Sequence, residues 1–117
     1  MTMSLWSRLR GDAGGGGGRR GATSADIDHL SAWARARTGV EAFVEPRTMV
    51  TETTVVLVAK DGEWTRRRIS GPAGARKLGR ALRIPVYDAQ IVGYPQRMRD
   101  YDARQRLLRD RDRRERG

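Results

Sequence analysis

Cysteine is missing from this 117-residue chain, and histidine occurs once, at His29. The first absence excludes disulfides, zinc ribbons, iron–sulfur clusters and a thiolate nucleophile. The second excludes a multi-histidine metal site within one chain and leaves imidazole chemistry a single candidate. Aromatics are scarce, at 6%. No apolar run nears the ~20 residues that span a bilayer, and residues 1–10 lack the apolar stretch of a secretory signal. Lysine is nearly absent as well: only Lys60 and Lys77 stand among the 24 basic residues.

Arginine fills that gap. With the two lysines, and against 14 acids, it sets the net charge at +10. The charge is unevenly spread. Residues 1–22 hold four Arg and one Asp, and residues 95–117 hold nine Arg and five acids. Residues 23–94, where the apolar residues cluster, hold eleven basic residues and eight acids. Arg forks suit phosphate and carboxylate. An Arg-, Gly- and Ala-rich composition also follows from GC-rich coding, and charged ends often serve only as solvated appendages.

The domain reading follows this division. Residues 1–22 form a Gly/Arg-rich segment with five consecutive glycines at 14–18, the composition of a flexible linker. Residues 23–94 form an α+β domain, and residues 95–117 an Arg-rich helix. Ser24 reads as an N-cap with Asp26 in the first turn, and Ile27, Leu30, Trp33 and Ala34 recur at helical spacing, predicting a helix over 24–38. Alternation over 40–45 predicts a strand ended by Pro46. A β-branched run over 50–60 meets Asp61-Gly62, a hairpin turn signal, and 63–70 returns. Pro72 opens a second helix with Ala75, Leu78 and Leu82 inward. Residues 85–92 read as a fourth strand, and a last helix starts near Pro95. The order α-β-β-β-α-β-α gives a single small domain with a four-stranded sheet and flexible basic termini. So thin a core predicts that docking of the 95–108 helix adds stability.

Catalytic signals are weak. Glu41 and Glu45 share a strand face about 13 Å apart, wider than paired glycosidase carboxylates, and read as solvated. His29 reads as a helix-surface residue. The only strand-to-helix glycines, Gly71 and Gly74, lack dinucleotide spacing. No cofactor or metal is implied. The basic constellation says more. Trp64, Arg66 and Arg68 share one side of a strand, and Arg76, Arg80 and Arg83, beside Lys77, line one side of the next helix. If strand and helix are neighbours, they make a phosphate-tracking patch with Trp64 as a stacking surface. The competing reading pairs these arginines with Glu41, Glu45, Glu52 or Glu63. In the last helix, four Asp/Arg pairs at i,i+4 (100/104, 102/106, 110/114 and 112/116) suggest a solvated helix that frays at its end, or an arm that becomes ordered on a partner.

The stretch 39–101, most distinctively 40–46, 61–68 and 85–101, resembles a group of short actinobacterial proteins, some carrying the label oxidoreductase. The resemblance implies a bacterial, cytoplasmic protein and, through the label, a small redox enzyme. The helix–three strands–helix order is similar to a double-stranded-RNA-binding domain, in which a basic helix start meets phosphates. The α-β-β-β-α-β order also resembles nucleases of the restriction-endonuclease type, with Glu52 as a first acid. However, Glu63-Trp64-Thr65 lacks the required lysine.

The leading expectation is a non-enzymatic protein that binds nucleic acid or ribonucleoprotein through its Arg-rich surface. The alternatives are an interaction or assembly module using Leu5, Trp6 and Leu9 with the C-terminal helix, and a small oxidoreductase.

Overall fold

The computed structural model describes residues 22–116. Eight elements follow in order: α1 (Ser24–Arg35), β1 (Glu41–Glu45), β2 (Thr54–Val58), β3 (Trp64–Arg68), α2 (Gly71–Leu82), β4 (Val86–Asp88), α3 (Ala89–Val92) and α4 (Gln96–Arg116). The fold is α+β, as the sequence pattern predicts. Leu5, Trp6 and Leu9 lie outside the described residues.

The strands form one mixed sheet in the order β3-β2-β1-β4. β1 pairs antiparallel with β2 and parallel with β4, and β2 pairs antiparallel with β3. β1 is therefore internal to the sheet.

Cross-strand partners point to one side of a sheet, so the register divides the residues between two faces. On one face Ala42, Val44, Val55, Leu57 and Ala59 pack with Ile27, Leu30, Trp33 and Ala34 of α1 and Ala75 and Leu78 of α2. Ile27, Leu30, Leu57 and Leu78 are essentially excluded from solvent. On the other face Phe43, Val56 and Val58 pack with Ala89 and Met98, with Trp64 and Tyr94 alongside. The helix at the C-terminus thus completes a second, smaller core. Among the described residues no helix is long and apolar enough to cross a membrane.

Local chemistry explains where the elements start and stop. The N-cap of α1 is Thr23, one residue before the expected Ser24. Its hydroxyl accepts from the Asp26 backbone N–H, and Asp26 accepts from Thr23 N–H, closing a capping box. The predicted strand over 85–92 is shorter than expected. Asp88 accepts from Gln90 N–H at 2.8 Å, so a carboxylate inside the run caps a helical turn and ends the strand. Glu52 lies in the loop before β2, not on that strand.

The last helix does not fray early but continues to Arg116. None of its four expected Asp/Arg pairs occurs among the ion pairs of the described residues. Instead Arg113 meets Asp110 at 2.6 Å and Arg111 meets Glu115 at 3.5 Å.

Candidate nucleic-acid interface

α2 contains no acidic residue. From Trp64 to Tyr87 the chain has seven basic residues and no acid at all. In α2 the apolar positions Ala75 and Leu78 turn to the sheet, which leaves Arg76 and Arg80 exposed, with Arg83 exposed at the helix end. The four-residue spacing keeps Arg76 and Arg80 on one side of the helix, and Arg83 follows as its left-handed C-cap. No ion pair among the described residues includes Arg76, Arg80 or Arg83. Lys77, in the second turn, is half-buried.

The end of α2 is built with care. Arg83 sits at φ 57 and ψ 47, the one non-glycine residue with positive φ among those described. That conformation costs an L-residue about 1–2 kcal/mol. It returns the Ile84 N–H to the Gly79 carbonyl at 3.0 Å and sends the chain into β4. Gly79 is required at this turn, because a Cβ there would overlap Val86 Cγ2. A tight helix-to-strand return thus presents Arg83 at the end of the basic row.

Trp64, Arg66 and Arg68 are not part of that row. Their cross-strand partners are Val58, Val56 and Thr54, so they belong to the sheet face away from α1 and α2. Strand and helix are therefore separated by the sheet, and the two halves of the expected patch face different directions. Trp64 is half-buried and donates its Nε1–H to Asp102 of α4 at 2.9 Å. The Arg66 guanidinium lies over the Trp64 ring, 5.2 Å from its centre. The indole is thus engaged on an edge and on one face. Arg68 is exposed, with no ion pair among the described residues.

Arg66 also makes a forked contact with Glu45, donating from Nε at 2.8 Å and from Nη2 at 3.0 Å. Glu45 further accepts from Thr54 Oγ1 at 2.6 Å and from the Tyr94 hydroxyl. Four donors fill the four acceptor positions of a carboxylate. Burial pushes the Glu45 carboxyl up, but these hydrogen bonds and the Arg66 charge outweigh it and hold the group below its ordinary value. Burial and the bond to Glu45 raise the Tyr94 hydroxyl. The group lines an open cleft of about 500 Å³ together with Thr48, Thr51 and Gln90. A carboxylate so fully engaged is a structural anchor and has no free position to accept a substrate proton.

This hub escapes a sequence reading, since Arg66 and Tyr94 lie 21 and 49 residues from Glu45. The available signal was Glu45 itself, an acid on the same strand side as Phe43. Glu41 is also half-buried and accepts from Arg97 at 2.6 Å. Neither glutamate is simply solvated.

His29 is half-buried too, with Nε2 2.6 Å from Thr65 Oγ1, joining α1 to β3. Burial lowers its pKa, as do the charges of Arg67 and Arg37, against the opposing Asp26. Among the described residues no three His, Asp or Glu side chains gather as a metal site. No family model, curated protein or solved structure matches this chain.

Proposed function

We infer that the protein binds the phosphate backbone of nucleic acid through the outer side of α2, without base specificity and without catalysis. The observation that carries this reading is the acid-free row Arg76, Arg80 and Arg83, exposed and outside every ion pair among the described residues. Arginines without acidic partners keep their donors available for phosphate oxygens. The strained backbone at Arg83 adds support, because glycine would relieve the strain and remove the charge. The order α1-β1-β2-β3-α2, with both helices on one sheet face, parallels the double-stranded-RNA-binding arrangement. Here β4 extends the sheet, and the basic row starts on the second helical turn. This is an analogy of layout only.

Three phosphates neutralised on a duplex give a log–log salt slope of about −2.7, or about a 40-fold affinity loss between about 50 and 200 mM salt. The test is fluorescence anisotropy of the full chain with short RNA and DNA duplexes at both salts. A variant carrying Arg76→Gln, Arg80→Gln and Arg83→Gln is compared with one carrying Arg106→Gln, Arg109→Gln and Arg116→Gln. The two have equal net charge. The reading expects the α2 variant to lose most of the affinity and salt slope, and the α4 variant to lose little. Equal losses would mean diffuse attraction to a cationic chain and would overturn it.

A further inference from the structure

Seven large apolar side chains are exposed among the described residues, and five of them belong to one end of the sheet. Met49 and Val50, 102% and 90% exposed, occupy the middle of a turn between β1 and β2, closed by the Thr48 N–H on the Thr51 carbonyl at 2.9 Å. Tyr87, Ile91 and Val92 belong to β4 and α3. The open cleft of about 500 Å³ joins the two groups. It is lined by Thr48 and Thr51, which flank that turn, and by Ala89 and Gln90, which precede Ile91. In its wall Glu45 and Arg66 already neutralise each other. Apolar side chains gathered around a cleft mark a surface that something covers.

The topology shows what arrives there. β1, β3 and β4 run in one direction and β2 in the other, so α3 and the loop after β1 leave the sheet at the same end. α1 begins at that end too. Asp26 in its first turn is 3.7 Å from Arg67, near the finish of β3. The Thr38 carbonyl, just after the helix, accepts from Lys60 N–H at the opposite, hairpin end. Ala22, buried ahead of α1, therefore receives the preceding chain at the end of the sheet that carries the cleft. In that preceding sequence every large apolar residue falls within positions 1–9, Leu5, Trp6 and Leu9 among them, and positions 10–21 hold only Gly, Arg, Ala and Asp. Leu9 is thirteen positions before Ala22. A glycine-rich chain of that length spans ~20 Å on average. The crossing from α1, which lies against β3, to α3, which follows β4, is three strand spacings, or about 14 Å.

We propose that residues 5–9 of the same chain cover this cleft, setting Leu5, Trp6 and Leu9 against Met49, Val50, Ile91 and Val92. The occupant is this segment for three reasons. Its apolar side chains match the exposed ones, it joins the domain at the end of the sheet where the cleft lies, and the intervening length suffices for the crossing. A lipid surface or a nucleic acid is a poorer match for a cleft whose wall charges are already paired. Glu45, Thr54 and Arg66 lie on the sheet face away from α2, so covering the cleft leaves the basic row accessible. The inference stands independently of the function proposed above.

The lack of native cysteine makes a direct test simple. Ser4→Cys provides a single site for a nitroxide on the full chain, and its relaxation effect is read on backbone amides by nuclear magnetic resonance. The amides of Thr48–Thr51 and Gln90–Val92 are expected to broaden more than those of Thr23–Asp28. Leu5→Ser, Trp6→Ser and Leu9→Ser together are expected to remove that broadening, and so are Met49→Ser and Ile91→Ser together, which alter only exposed positions and leave the core intact. Nitroxide-bearing chains mixed with isotope-enriched chains lacking the nitroxide are expected to leave the cleft amides of the latter sharp. Broadening centred on Thr23–Asp28, or cleft broadening unmoved by either set of substitutions, overturns the proposal. Cleft broadening in the mixed sample also overturns it, since a second copy would then be the occupant.

Discussion

Replacing Arg66 by methionine removes two of the four donors on Glu45 while keeping an unbranched chain over Trp64. What remains is a carboxylate whose side chain is 21% exposed, served by the Thr54 and Tyr94 hydroxyls alone. Breaking a buried pair costs about 3–5 kcal/mol, and exposed pairs contribute about 0–1 kcal/mol. Arg66 is 44% exposed, so solvent screens the loss and sets it between these limits, at about 2 kcal/mol. With a urea m-value of about 1.3 kcal/mol/M for a chain this size, the unfolding midpoint falls by about 1.5 M. Adding Glu45→Gln removes the stranded charge, so the double variant is expected to be more stable than Arg66→Met alone. The acid limb gives an independent reading. The folded state holds Glu45 below its ordinary value of 4.5, so its contribution is full above that pH and is lost as pH falls through the folded value. Glu45→Gln removes this part of acid denaturation. A midpoint shift below about 0.3 M for Arg66→Met, or a double variant weaker than the single, would refute the account of Glu45 as an anchor.

Further outcomes follow from the same structure. Arg83→Gly relieves the left-handed backbone and is expected to stabilise the fold by about 1 kcal/mol while weakening nucleic-acid binding; calorimetry and anisotropy on one sample check both. Gly62→Ala meets the Arg97 carbonyl oxygen at a position with φ +96, and is expected to cost about 3 kcal/mol or more in urea denaturation, with lost protection of α4 amides in hydrogen exchange. Met98→Ala empties the middle of the smaller core and is expected to cost about 2–3 kcal/mol by the same denaturation. Burial and the neighbouring Arg67 and Arg37 charges hold the His29 pKa below its ordinary 6.5. The unfolded chain therefore takes up a proton first, and stability declines as pH falls through 6.5 towards the lower folded value. His29→Gln should flatten this slope, and an unchanged slope would count against the His29–Thr65 contact.

The succession of elements is legible in the sequence because local signals carry it. Alternation in residues 40–45, the Asp61-Gly62 turn and the spacing of Ile27, Leu30 and Trp33 each act over a few residues. The error over 85–92 has the same local origin. Val86 and Tyr87 favour a strand, and Asp88 serves equally as a strand residue or a helix cap. What local signals cannot carry is the side of the sheet that a helix covers. That depends on β4 pairing beside β1, where Ala42 meets Val86, 44 positions further along the chain. The sharing of one strand side by Trp64, Arg66 and Arg68 was legible. Their separation from Arg76, Arg80 and Arg83 was not. The Glu45 hub was hidden for the same reason, since its donors arrive from β2, β3 and the segment before α4.

The internal position of β1 has a consequence for solubility. The two sheet edges fall to β3 and β4, and both are poor templates for another strand. β4 offers three residues, too few for a stable ladder. β3 is longer, but three consecutive arginines occupy positions 66–68, so a second β3 laid along it would bring six guanidinium groups together. Its positive charge thus guards the sheet against ribbon growth and fibril seeding, whatever other partner the protein meets. Replacing Arg67 and Arg68 by valine would remove that guard at the most strand-prone edge, and thioflavin fluorescence on prolonged incubation would register the result.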